Sequence, residues 1–185
     1  MKIQLRLEKL WKRARVERSC FSLEKISDRF ILVKLVFDYD KVKDYYGRLV
    51  WCFYGEAEPL IIYFDKSRET YTSEEVLLPN ELTFFVDSFS NKFVQNPQIR
   101  TSGLPALSLT TVEGIDHDFL VQERGELTVA YKDNSIYCLF NASQPDEIVQ
   151  VGENIGFYFS NKMLSEIKLQ LTDHDKLILQ QAHLI

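Results

Sequence analysis

The chain is dominated by short apolar runs rich in β-branched and aromatic residues, and these runs constrain the fold more than any other feature. The longest covers residues 30–37 (Phe-Ile-Leu-Val-Lys-Leu-Val-Phe), and residues 49–54 and 60–64 follow it with turn-forming residues between them. Such runs predict strands, here three strands of a meander. Both faces of these strands are nearly equally apolar, which is typical of strands that are covered on both sides.

The second half of the chain predicts further strands, at residues 107–112, 119–123, 127–132, 136–141, 148–151, 155–159 and 164–171. Arg124-Gly125 and Asp133-Asn134 lie where tight hairpin turns are expected. Gly, Asn and Asp are favoured there because they tolerate the positive φ angles that such turns require. An antiparallel meander is therefore predicted for this half as well.

The C-terminal residues combine an alternating strand with a helix. Between residues 164 and 171 Glu166 and Lys168 alternate with apolar residues, so this side of the strand is expected to face water. Thr172 is a predicted helix N-cap, and Asp173 and Asp175 follow in the first turn, where the helix dipole favours negative charge. A short C-terminal helix is expected.

A central helix is predicted near residues 80–95. Pro79 and Asn80 precede apolar side chains at positions i, i+3, i+4, i+7 and i+11, which are Leu82, Phe85, Val86, Phe89 and Phe93. This spacing places them on one face of a helix of about four turns. An aromatic stripe of this kind indicates core packing.

Residues 1–18 allow two incompatible interpretations. One stripe of an amphipathic helix would contain Ile3, Leu7, Leu10, Trp11 and Ala14. In a strand, Ile3, Leu5 and Leu7 would instead alternate with polar residues. The helix is preferred because Leu, Lys, Arg and Glu are good helix formers and because the alternation breaks at Leu10-Trp11.

The predicted fold is therefore α+β, with a mainly antiparallel sheet or two-layer body of about nine or ten strands. It carries a basic N-terminal helix at residues 1–18, the central helix near 80–95 and the short C-terminal helix. Residues 1–185 are expected to form a single compact domain. Residues 96–105 contain two prolines and Gly103, and two lobes would divide there.

Charge is unevenly distributed along the chain. The first 34 residues contain ten basic and four acidic residues, a net charge of +6, whereas the remainder contains 12 basic and 23 acidic residues, a net charge of −11. This split indicates a basic segment that contacts a partner or docks on the acidic body. The candidate interaction residues of the segment are Lys9, Trp11, Lys12, Arg13, Arg15 and Arg18. Binding of nucleic acid is the alternative, with the basic residues on phosphates and Trp11 stacking on a base.

A second candidate contact surface lies between the first two predicted strands. It consists of Tyr39, Asp40, Asp44, Tyr45 and Tyr46. Tyrosine is enriched at protein interfaces because it presents a large rigid body with a polar tip.

The chain lacks the commonest catalytic motifs. It has no Gly-rich phosphate loop, no zinc-type spacing of Cys and His, and no nucleophile elbow. Two of its three histidines lie in identical tripeptides, Asp116-His117-Asp118 and Asp173-His174-Asp175. If the two tripeptides converged, their carboxylates and imidazoles could hold a metal ion or transfer protons. A turn at the first and helix capping at the second are the ordinary alternatives.

These features lead us to expect a non-enzymatic binding protein that acts through protein–protein interaction, of the inhibitor, immunity or assembly-factor type. A metal-dependent hydrolase built on the two tripeptides and a nucleic-acid-binding protein are the alternatives. No cofactor is expected. The three cysteines are separated, and Cys52 and Cys138 lie in apolar runs as reduced buried thiols do. With no apolar N-terminal stretch and no segment of about 20 apolar residues, a cytoplasmic location is expected.

Overall fold

A computed structural model describes residues 5–11, 16–39, 45–56, 59–68, 75–91, 97, 99–109, 120–140 and 144–185, with the backbone alone for residues 16–20, 45, 46 and 68. The N-terminal part contains β1 (Leu5–Trp11), β2 (Val16–Ser27), β3 (Phe30–Tyr39), β4 (Tyr45–Tyr54), β5 (Leu60–Arg68) and β6 (Glu75–Val86). β7 (Ile99–Ser102), β8 (Leu104–Leu109), β9 (Leu120–Arg124), β10 (Leu127–Lys132) and β11 (Ser135–Phe140) follow. The chain ends with β12 (Glu147–Val151), β13 (Ile155–Ser160), β14 (Met163–Gln170) and α1 (Asp173–Gln181).

The prediction of an α+β fold is wrong. All 14 strands belong to one sheet, and α1 is the single helix among the described residues. The main path through the sheet runs β7-β12-β13-β14-β1-β8-β6-β5-β4-β9, while β2 and β3 extend from β6 and β10 and β11 extend from β14.

The N-terminal segment is a strand in its described part, and the helix predicted for residues 1–18 is wrong there. β1 lies in the middle of the sheet between β14 and β8. Leu5, Leu7 and Trp11 are buried at alternating positions, while Arg6 and Glu8 are exposed. Leu10 is half-buried and packs against the core after a register shift between Leu7 and Lys9, so two adjacent apolar residues, Leu10 and Trp11, both contact the core and gave the break in alternation that favoured the helix.

The central helix near residues 80–95 is also wrong, because residues 75–86 form β6. Leu82, Phe84 and Val86 are buried on the inner side of the strand, and Phe85 is half-buried on the outer side. Apolar residues on both sides of a strand reproduce a helical spacing by chance. Pro79 lies opposite Phe64 at a register shift in the β5–β6 ladder, and bulges are where a sheet accepts proline.

Several local predictions are confirmed. Asp133 and Asn134 have φ angles of 49° and 59° and form the two-residue turn between β10 and β11. The C-terminal helix begins at Asp173 with Thr172 as its N-cap.

A hairpin at Arg124-Gly125 does not form, since β9 pairs in parallel with β4 and the Gly125 N–H donates to the Tyr54 carbonyl at 3.0 Å.

Strand pairing divides the sheet into two equivalent halves. In the N-terminal half β3 pairs with β2 and β6, β6 pairs with β5, and β5 pairs with β4. β9 then pairs in parallel with β4. In the C-terminal half β11 pairs with β10 and β14, β14 pairs with β13, and β13 pairs with β12. β7 then pairs in parallel with β12. β8 pairs with β6, β1 pairs with β14, and β1 and β8 pair with each other, which joins the halves.

The inner sides of the two halves pack on each other and form one core. The Phe140 ring lies 5.8 Å from the Trp51 ring and 5.1 Å from the Phe53 ring, and the Phe37 and Phe157 rings are 5.8 Å apart. All five side chains are buried. Each half therefore has one inner side in the core and one outer side, and the outer sides decide where a partner can bind.

No helix within the described part of the chain has the length and apolar character needed to cross a membrane.

Candidate functional site

Only some of the candidate interaction residues of the basic N-terminal segment belong to the part of the chain that the structure describes. Trp11 is buried, and the Lys9 ammonium lies 5.8 Å from the centre of its ring. A buried indole cannot stack on a nucleic-acid base, so the nucleic-acid hypothesis loses its stacking residue. Arg18 lies on β2 with only its backbone described, and Lys12, Arg13 and Arg15 lie outside the described residues.

The tyrosine-rich candidate surface is only partly described. Tyr39 is buried, and its hydroxyl donates a hydrogen bond of 2.8 Å to the buried Asp65, which also accepts from the Asn80 amide at 2.8 Å. Tyr39 thus has a partner in its own chain and is inaccessible to another protein. Tyr45 and Tyr46 belong to β4 with only their backbone described, and Asp40 and Asp44 lie outside the described residues.

The second Asp-His-Asp tripeptide caps α1. The Thr172 backbone N–H and hydroxyl donate to Asp175 Oδ2 at 2.8 and 2.6 Å, and the Asp175 N–H donates to the Thr172 hydroxyl at 3.2 Å. Asp173 pairs with Lys176 at 2.6 Å, and this contact lowers the pKa of the Asp173 carboxyl. His174 is exposed. Helix capping therefore accounts for Asp175, and an ion pair within the first turn accounts for Asp173.

The first tripeptide, Asp116-His117-Asp118, lies outside the described residues, so convergence of the two tripeptides stays a prediction. Within the described ranges, no group of three or more His, Cys, Asp or Glu side chains is placed to hold a metal ion.

The two outer sides of the sheet differ in how much of them the chain covers. We call the outer side of β10–β14 and β7 the closed face. Ile148, Tyr158, Glu166, Leu139 and Tyr137 on it are all buried. We call the outer side of β2–β6 and β9 the open face, and its central side chains are half-buried or exposed. The pairing pattern makes these faces equivalent, so their difference comes from the side chains and not from the topology.

The open face has an apolar centre. Half-buried apolar side chains on it are Phe30, Leu32, Val36, Val50, Ile61 and Phe85. The Phe30 and Phe85 rings stack with centroids 4.8 Å apart. Tyr63, within the β4–β5–β6 ladders, is 36% exposed, and Leu120, the first residue of the edge strand β9, is 49% exposed. An aromatic and aliphatic centre of this kind resembles the core of a protein interface.

Charged side chains lie both within the face and at its two sides. Lys34 and Glu81 pair at 3.3 Å across β3 and β6. Glu24 lies at one side of the face on β2, and Arg124 lies at the opposite side on β9, both exposed. The open face therefore combines apolar side chains, one ion pair among them and exposed charges at its two sides, and such a mixture of apolar and polar groups is found where proteins bind proteins.

Cys52 lies within the open face, between Gln122 and Ile61 in the register of β9, β4 and β5. Its thiol is free, and partial burial raises its pKa. Cys138 is a free thiol in the core, and its complete burial raises its pKa further. Both thiols are protonated at neutral pH, so neither has the thiolate character that a nucleophilic cysteine needs.

The closed face contains a buried carboxyl group that the sequence did not reveal. Glu166 is 4% exposed, and its Oε2 accepts no hydrogen bond from any described residue. Its register neighbours are Tyr158 on β13 and Leu139 on β11. Burial raises the pKa of the Glu166 carboxyl to about 7. The expectation that this side of β14 faces water is therefore incorrect at Glu166.

The charged groups near Glu166 do not neutralise it. The Lys168 ammonium lies 5.7 Å from the centre of the Tyr137 ring, and burial followed by the charge of Arg100 lowers its pKa. Burial is also the main cause of the raised pKa values of Tyr137 and Tyr158, and the Glu166 charge adds to both. A carboxyl with this pKa could transfer protons at neutral pH, but its burial keeps it from a substrate. Glu166 is thus a determinant of stability.

No protein-family model, no curated protein and no solved structure matches this chain.

Proposed function

We propose that this chain is a non-enzymatic binding protein that acts through protein–protein interaction and that its contact surface is the open face. Inhibitor, immunity and assembly-factor proteins work in this way. The observation that carries the proposal is the difference between the two equivalent outer faces. The chain buries the central side chains of the closed face itself and leaves those of the open face half-buried or exposed, although both faces are rich in apolar residues.

The composition of the strands supports the same proposal. β3, β4 and β5 have apolar residues on both sides, as strands do when both of their sides are covered. The core covers their inner side, and a bound partner would cover the outer one. Burial of Leu120 and Tyr63 in a partner would remove apolar and aromatic surface from water, which is the main driving force of association.

The test compares two leucines of equal exposure. Leu120 on the open face is 49% exposed, and Leu177 on α1 is 48% exposed. Tagged full-length chains with Leu120→Arg or Leu177→Arg would be purified from the native host together with the proteins bound to them. Both variants should unfold at the same denaturant concentration, because each new side chain can extend into water.

The proposal predicts that Leu120→Arg loses the bound protein and that Leu177→Arg retains it. Retention by both variants would place the contact surface elsewhere. A reaction that depends on a tightly bound metal or cofactor, and that stops when the group is removed, would replace the binding function with an enzymatic one.

A further inference from the structure

We propose that the protein bound at the open face is a second copy of this chain, so that two open faces pack together in a two-fold dimer. This inference rests on the proposed function and specifies its partner. It follows from the distribution of side chains over the face, which is complementary to itself.

A two-fold dimer imposes a simple geometric condition. The axis must lie in the plane of the interface, because only such an axis turns one outward face to meet its copy. The open face consists of six strands in the order β9-β4-β5-β6-β3-β2. If the axis runs parallel to the strands between β5 and β6, then β9 of one copy lies over β2 of the other, β4 over β3, and β5 over β6.

This axis brings opposite charges together at two places. We call a line of register-paired residues that crosses the strands a row. In one row, Arg124 on β9 pairs with Tyr54 on β4 at one side of the face, and Glu24 on β2 pairs with Leu32 on β3 at the other side. Arg124 of one copy therefore lies over Glu24 of the other. The two-fold axis repeats this contact at the opposite side of the interface. Both charged side chains are exposed.

The centre of the face is matched as well. In the row that contains Leu120, the axis places Val50 over Val36 and Tyr63 over Glu81, so that an apolar pair lies beside a phenol that can donate to a carboxylate. In the next row it places Ile61 over Thr83. No two described side chains of like charge face each other in these rows.

Area and strand direction agree with a stable pair of sheets. Strands about 4.8 Å apart and rows about 7 Å apart give a face of roughly 29 Å by 20 Å, or about 600 Å² per copy. The two copies together then bury about 1,200 Å², above the roughly 1,000 Å² expected of a biological interface. An axis parallel to the strands keeps the two sheets aligned, as in β-sandwiches.

The test uses charge reversal, because the axis predicts which residues exchange partners. Light scattering during gel filtration would give the mass of the full-length chain and of the variants Glu24→Arg and Arg124→Glu. The wild type should be a dimer. Each single variant should increase the dissociation constant at least tenfold at low salt, because like charges then meet at two symmetric contacts.

Mixing the two single variants is the decisive step. In a mixed dimer every contact again joins opposite charges, so an equimolar mixture should dimerise as the wild type does, and so should the double variant E24R/R124E. All variants should unfold at the denaturant concentration of the wild type, since both positions are exposed.

Failure of this inference can be distinguished from failure of the proposed function. A wild-type chain that stays monomeric, or single variants that dimerise normally, would overturn the dimer. If Leu120→Arg still lost a different bound protein in that case while Leu177→Arg retained it, the open face would be a contact surface for another partner. If the wild type were monomeric and both variants kept the same bound protein, the dimer would be excluded and so would the open face as the contact surface.

Discussion

Replacing Glu166 by glutamine should stabilise the protein at pH 8 and change its stability little at pH 5. Burial raises the pKa of the folded carboxyl to about 7 from 4.5, the value for an exposed glutamate. In the unfolded chain the group loses its proton as the pH rises through the lower value, whereas the folded protein must keep the proton or bury a charge. The folded state therefore loses stability as the pH rises between these two values, and the whole cost is present above the higher one.

The magnitude follows from the pKa difference. One pKa unit corresponds to about 1.4 kcal/mol, so the shift costs about 3 kcal/mol at pH 8 and under about 1 kcal/mol at pH 5. Glutamine is a neutral side chain of the same shape and does not pay this cost. The free energy of unfolding of Glu166→Gln should therefore exceed that of the wild type by about 3 kcal/mol at pH 8.

The assay is urea unfolding followed by tryptophan fluorescence at the two pH values, with the slope m checked for constancy. Glu153, which is exposed in the turn between β12 and β13, provides the control. Glu153→Gln should leave stability nearly unchanged at both values, because its carboxylate is in water in both states. An equal gain at pH 5 and pH 8, or a loss at pH 8, would refute the explanation based on burial.

Two further predictions concern the core and the C-terminal helix. Phe140→Ala should destabilise the protein by about 3 to 5 kcal/mol, because this ring joins the halves by contacting Trp51 and Phe53, and a loss below about 1 kcal/mol in urea unfolding would contradict that role. Thr172→Ala should cost about 1 kcal/mol through loss of the cap with Asp175, while Thr172→Ser should restore most of the stability, and an Ala variant as stable as the wild type would show that the cap is dispensable.

The sequence predicted individual strands better than their arrangement. β10 was predicted with its bounds at Leu127 and Lys132, and β11 to β14 within a few residues of theirs. These strands are short, rich in β-branched and aromatic residues, and bounded by turn residues such as Asp133, so local information suffices.

The two incorrect helices have a shared physical cause. A strand with apolar residues on both sides, such as β6 with Leu82 inside and Phe85 outside, also satisfies a helical spacing. At β1, Leu10 packs against the core beside the buried Trp11, and together with Leu7 these residues imitate a helical stripe. Only the pairing with β8 and β14 distinguishes the alternatives, and this pairing is formed by residues far away in the sequence.

The candidate site was not predictable for a related reason. Trp11 and Tyr39 were expected to be available to partners, and they are buried. The equivalence of the halves leaves no repeat in the sequence, because strand pairing depends on the backbone while the side chains on the two outer faces differ. Whether an apolar strand side is covered by its own chain, as at Tyr158, or open, as at Leu120, depends on the tertiary fold alone.

The central claim is that the open face is the surface through which this protein binds, and solvent footprinting tests it most directly. Oxidative labelling by hydroxyl radicals would be measured at Tyr63 and Leu120 on the open face and at Leu177 on α1, in dilute dissociated protein and in the associated state. We expect labelling of Tyr63 and Leu120 to fall on association while labelling of Leu177 stays constant. Unchanged labelling of Tyr63 and Leu120, with protection at Leu177, would contradict the claim.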